Sequence, residues 1–207
     1  MIKKITSSLF VVITLLSCKN ENSKKDDKAI DKTEEKSEKA VNDSEEKNIA
    51  SFSKPDLAAE VKNFITCKKA STTRNECRNS ITKVVSQSFN IEEFVDKEKG
   101  YVVYDSIRPI IERSAKWENL GPIDENNLNK AVAHANDDGL ALIVDTSQSY
   151  GHVVMVLPGE PKRSGSWGMA LPKVLSLANH SPEKSFHDKT LSYALQKSDE
   201  VQVYLRK

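Results

Sequence analysis

Two kinds of apolar periodicity follow one another along the chain, and the change falls near Gly139. Before it, apolar positions recur at helical spacing. Leu57, Ala58, Val61, Phe64 and Ile65 form one stripe, with Pro55 placed for the first turn and an end near Cys67. Ile81, Val84, Val85 and Phe89 form a second, in a helix that Asn75 is suited to cap. Ile107, Ile110, Ile111 and Trp117 predict a third helix, with Pro109 in its first turn. Leu128, Ala131, Val132 and Ala135 predict a fourth, capped by Asp124 and stopped by Gly139. Residues 100–104 read as a short strand or an extended loop.

Beyond Gly139 the apolar runs become short, β-branched and bounded by turn residues. Residues 140–144 and 153–157 predict an antiparallel pair joined by the loop 145–151. Trp167 to Met169 is a candidate start for a third strand, and residues 201–205 alternate as a final strand should. Helices first and strands afterwards describe an α+β domain, with N-terminal helices packed on a small antiparallel sheet.

The first fifty residues follow neither pattern. Lys3 and Lys4 precede an apolar segment from Leu9 to Leu16 that is too short to span a bilayer but fits an export signal. Leu15-Leu16-Ser17-Cys18 closes it and resembles the bacterial lipobox, in which the cysteine becomes the lipidated first residue of the mature protein. That resemblance implies a signal peptide over residues 1–17 and a palmitate-type membrane anchor on Cys18. Lys19 resembles outer-membrane sorting, on the periplasmic or the surface face, and Lys24-Lys25-Asp26-Asp27 loosely resembles surface-export tethers of the Bacteroidota. Residues 18–50 are almost wholly Lys, Glu, Asp, Asn and Ser, so they bury too little apolar surface to offset the entropy of ordering them. They read as a spacer, with residues 51–207 as the folded domain. The 207-residue chain carries a formal net charge of +1, so no bulk field points to nucleic acid.

Two residues carry the chemistry. His152 enters an apolar strand behind Gly151, so a rigid element holds its imidazole at the edge of a cleft; hydrogen bonding at the strand end explains the residue equally well. Cys77 lies about two residues inside the cap predicted at Asn75. There the helix dipole and the flanking Arg74 and Arg78 favour a thiolate. A thiolate and an imidazole together make a nucleophile with its base. His134 sits in a predicted helix, and His180 and His187 lie in polar stretches with no strand to fix them.

Asn75-Glu76-Cys77-Arg78-Asn79-Ser80-Ile81 resembles the cysteine motif of CHAP-type amidases and their NlpC-like relatives, and residues 151–156 resemble their Gly-His-Val strand. The order of the two motifs is also similar. The resemblance implies a papain-like fold and hydrolysis of amides in peptidoglycan peptides through a thioester. Cys77 would be the nucleophile and His152 the base, with no metal or cofactor required. Two departures stand out. Ser80 and Ile81 replace an aromatic common after the cysteine, and no third residue is obvious after the histidine strand. Ser166 is the candidate for orienting the imidazole, with Asp145 or a backbone carbonyl as rivals. Trp167 fits a cleft wall or, more simply, a core indole.

A different reading starts from Cys67 and Cys77 as a pair. In an exported protein they invite a disulfide, which would remove the nucleophile and leave a non-catalytic lipoprotein that binds a wall fragment or a protein partner, of immunity or inhibitor type. Alternatively Cys67 is a buried free thiol. Histidines and cysteines show no close metal-ligand spacing.

Overall fold

A computed structural model describes residues 54–70 and 77–207 of the protein. The signal segment, the tether, Cys18, Arg74 and the predicted cap Asn75 lie outside the described residues. Asp56 starts the first helix, α1 (Leu57–Ala70), by accepting the amides of Ala58 at 2.9 Å and Ala59 at 3.3 Å. Its carboxylate therefore satisfies donors that the helix itself cannot, with Pro55 just ahead of it. The helix runs one turn of basic residues, Lys68 and Lys69, past Cys67.

The second helix, α2 (Ser80–Phe89), begins four residues later than a cap at Asn75 predicts. Its inner stripe is as expected: Ile81, Val84 and Val85 are buried. Asn90 ends it in the left-handed region and returns its amide to the Ser86 carbonyl. A small hairpin of β1 (Val95–Asp96) and β2 (Gly100–Tyr101) follows, then α3 (Ile107–Arg113). Trp117 does not extend α3. The chain leaves the helix at Ser114, which is extended, and Trp117 opens the strand β3 (Trp117–Pro122). Its indole is buried and meets Phe94 at 6.1 Å, so the core holds the tryptophan from a strand rather than from a helix. Asp124 caps α4 (Glu125–Asn136) through the amide of Asn127 at 2.7 Å, as its side-chain chemistry predicts.

The strands after Gly139 are β4 (Ala141–Asp145), β5 (Val153–Val156), β6 (Lys162–Arg163), β7 (Ala170–Leu171), β8 (Lys173–Ser176), β9 (Phe186–Thr190) and β10 (Val201–Arg206). Six of the strands form one antiparallel sheet in the order β3-β10-β4-β5-β8-β9, while β6 and β7 pair separately. Trp167 is not a strand residue. It sits in the turn of the β6–β7 hairpin and is buried, which favours the core reading over a cleft wall.

Both faces of the central strands are covered. Leu142, Val144, Val153, Met155 and Leu175 pack with α1, α2 and α3 and with Cys77. Ile143, Val154, Val156, Val174 and Val203 pack with α4, Trp167 and Leu191. That is why β4 and β5 read as continuous apolar runs instead of alternating ones. The fold is α+β with an antiparallel sheet. Among the described residues no helix is long and apolar enough to cross a membrane.

Candidate functional site

Cys77 stands just ahead of α2, not inside its first turn. It forms a disulfide with Cys67 on α1, with the two Cα atoms 6.0 Å apart. Its φ of 67° lies in the left-handed region, which costs a non-glycine residue about 1–2 kcal/mol. The Ser80 hydroxyl donates to its carbonyl at 2.9 Å, and this bond ties the strained residue to the helix start. The two sulfurs are unequally placed: the Cys67 residue is exposed, whereas Cys77 is buried in the core.

The expected activation of Cys77 is therefore absent from this arrangement. A disulfide sulfur is not a thiolate, and the residue lies outside the turn where helix N–H groups would stabilise one. Arg78 is engaged elsewhere: it pairs with Asp105, and its guanidinium lies 5.2 Å from the centre of the Tyr104 ring.

His152 is at the mouth of β5, as the sequence predicts. Its carbonyl accepts the Asp145 amide at 2.9 Å, and its Nε2 lies 2.8 Å from the Ser176 hydroxyl on the neighbouring strand β8. Burial pushes the imidazole pKa down from 6.5 to about 4; His180 acts the same way and Asp145 opposes it. The ring is neutral at neutral pH. Gly151 does not make space for it: a methyl group there would stand 1.7 Å from the Asp145 carbonyl oxygen, so the glycine serves the close approach of the loop backbone.

Ser166 does not orient His152. Its hydroxyl faces that of Ser164 at 3.2 Å in the β6–β7 hairpin, and Ser176 takes the place predicted for it. A sequence signal for Ser176 exists, because it is the polar residue in the apolar run 174–177. Asp145 remains near enough to act on the imidazole by charge, but its carboxylate accepts the Ser147 amide at 3.0 Å.

Cys77 and His152 are not brought together. Along β5, Val153 and Met155 join the core that contains Cys77, and Val154 and Val156 join the α4 core. Strand alternation gives His152 the face of Val154. Ser176, registered opposite Val154 and following Val174 by two positions, shares that face. The pair of His152 and Ser176 thus belongs to one side of the sheet and the disulfide to the other.

The surface beside the disulfide is a polar cleft of about 420 Å³ lined by Lys68, Arg78, Tyr104, Tyr150, Asn179 and His180, among others. Tyr150 is 51 % exposed, and Asn179 presents a buried Oδ1 without a hydrogen-bond partner. Asn179 and His180 also line the small cavity at His152. A second, larger cavity of about 840 Å³ lies between the β6–β7 hairpin and β9, with Tyr193 on its wall. Among the described residues no group of three His, Cys, Asp or Glu side chains is placed to hold a metal ion.

No family model matches the chain, and no curated protein matches it.

Proposed function

We propose that the protein is a membrane-anchored, non-catalytic lipoprotein whose folded domain binds a fragment of the cell wall. The observation that carries this reading is the Cys67–Cys77 disulfide, which consumes the only thiol expected to act as a nucleophile. Support comes from the tyrosines. Among the described residues Tyr150 and Tyr193 are two of the three large hydrophobic side chains left exposed, and each borders a cavity that also carries cations. Exposed rings next to charged groups offer contact area at low entropic cost, which is a property of recognition surfaces.

A second reading is favoured by the His152–Ser176 hydrogen bond. In a papain-like cysteine hydrolase of peptidoglycan peptides, Ser176 on Nε2 would fix the tautomer and leave Nδ1 for the proton of Cys77. Cys67, the exposed residue of the pair, is the one through which an external thiolate would enter. Attack there forms a mixed disulfide on Cys67, breaks the Cys67–Cys77 bond and releases Cys77 as the thiolate. That enzyme would be active only after reduction, and Cys77 and His152 would have to be brought to one side of the sheet.

Iodoacetamide labelling with peptide mass spectrometry, on protein never exposed to reductant, comes first. No label on Cys77, and no digestion of purified peptidoglycan with or without reductant, is the expected result. Reductant-dependent digestion that is lost in Cys77→Ser and in His152→Ala would overturn the binding reading in favour of the hydrolase.

A further inference from the structure

The larger cavity gathers three cations, one of which, Lys189, lies over the Phe186 ring at 5.5 Å. Lys162 and Arg163 extend from β6, Lys189 from β9, and Tyr193 from the turn that follows β9. Asp188 is the one carboxylate on the wall. Among the described residues none of the three cations is joined to a carboxylate within ion-pair distance. Tyr193 is 70 % exposed yet held in place, with Phe186 edge-on at 6.4 Å and the Lys189 ammonium 5.6 Å from its centre.

Edge-strand protection accounts for part of this. β9 is the last strand of the sheet, and a lysine on such an edge deters the addition of a foreign strand. It does not account for Lys162 and Arg163, which belong to the separate hairpin, or for an aromatic ring fixed in an exposed position between the two elements. The hydroxyls of Ser164, Ser166, Thr190 and Ser192 complete the wall, giving donors for a ligand rich in oxygen.

We infer that this cavity is the ligand site of the binding module, and that it takes a carboxylate-bearing glycopeptide fragment of the wall. Lys162, Arg163 and Lys189 receive the anionic group, and Tyr193 lies against the flat face of a sugar ring or peptide unit. The inference rests on the binding reading above and adds to it a place and a chemical class. It also gives Ser166 a new position, on the wall of this cavity instead of at His152.

The test is calorimetric titration of a disaccharide-tetrapeptide with free carboxylates into the intact, disulfide-closed protein. The expected result is binding that weakens on the order of tenfold or more in the Lys162→Gln/Arg163→Gln double variant, as loss of charged hydrogen bonds predicts. Tyr193→Ala weakens it by a similar factor, Lys130→Gln on α4, which does not line the cavity, leaves it unchanged, and the fully amidated fragment does not bind. Equal binding by the double variant, or by the amidated fragment, overturns the inference. So does displacement by an equal concentration of inorganic phosphate, which would reassign the cavity to phosphate-bearing ligands. Absence of any binding by the unaltered protein overturns it as well, while the broader reading is judged separately by the fate of the Cys77 thiol.

Discussion

A methyl group on residue 151 would stand 1.7 Å from the carbonyl oxygen of Asp145 and 3.3 Å from that of Gln148. Neither atom is free to retreat, because the Asp145 amide holds the His152 carbonyl and the Gly151 amide holds the Gln148 carbonyl. Gly151→Ala is therefore expected to cost about 3 kcal/mol, at the upper end for overpacking, read as a lowered urea midpoint with an unchanged slope. At His152 the folded-state pKa lies near 4, below the ordinary 6.5. The unfolded chain then binds the proton more readily, so the contribution of the neutral ring is complete above pH 6.5 and is lost as pH falls towards 4. Urea denaturation at pH 7 and pH 5 should show this loss, and His152→Gln should flatten it. A flat profile in the unaltered protein would contradict the buried, neutral imidazole. His152 was legible in the sequence because a glycine and a strand entrance frame it. Ser176 breaks an apolar run, but its partnership with His152 crosses from one strand to the next and no local spacing encodes it.

At the scale of elements, the cysteine pair sets the relation between α1 and α2. A disulfide with a sequence separation of 10 is worth about 2–3 kcal/mol in the chain-entropy account. Reduction, or the Cys67→Ser/Cys77→Ser pair of changes, should lower thermal stability by that order without disturbing the sheet, as scanning calorimetry and far-UV circular dichroism can verify. Element types were largely readable from periodicity: four helices, the β4–β5 pair and the final strand are where apolar spacing places them. The misses share a cause. Trp117 satisfied a helical spacing on apolarity alone, but Ser114 ends the helix and the indole enters the core from β3. Asn75 looked like a cap because it precedes an apolar stripe, yet the helix starts at Ser80 after Cys77 has turned into the left-handed region. That turn depends on a partner ten residues away, and no window around Cys77 contains the information.

For the molecule as a whole, the separation of two cores by the sheet is the decisive arrangement. Cysteine and histidine motifs in the right order do not by themselves decide on which side of a sheet each falls. The α+β class followed from the order of periodicities, whereas the separation of Cys77 from His152 follows from which side chains share a face. If Cys18 carries the lipid implied by its motif, Cys18→Ser should move the intact protein from the membrane to the soluble fraction in a fractionation experiment, with the folded domain unaltered. Retention in the membrane would remove the anchor from the account.

The strand β10 pairs with β3 on one side and β4 on the other, so it occupies the interior of the sheet although every other strand precedes it in the chain. During synthesis, β3 emerges without its only neighbour in the sheet, and β4 lacks one of its two. A ribosome must therefore finish about eighty further residues after β3 before the sheet can close, a long-range pairing of the kind that slows folding. If the lipobox-like motif directs export, this delay would suit it, because an export channel admits polypeptide that has not yet folded. Removal of residues 201–207 should prevent closure of the sheet altogether, leaving a chain that is digested by added protease where the intact protein resists.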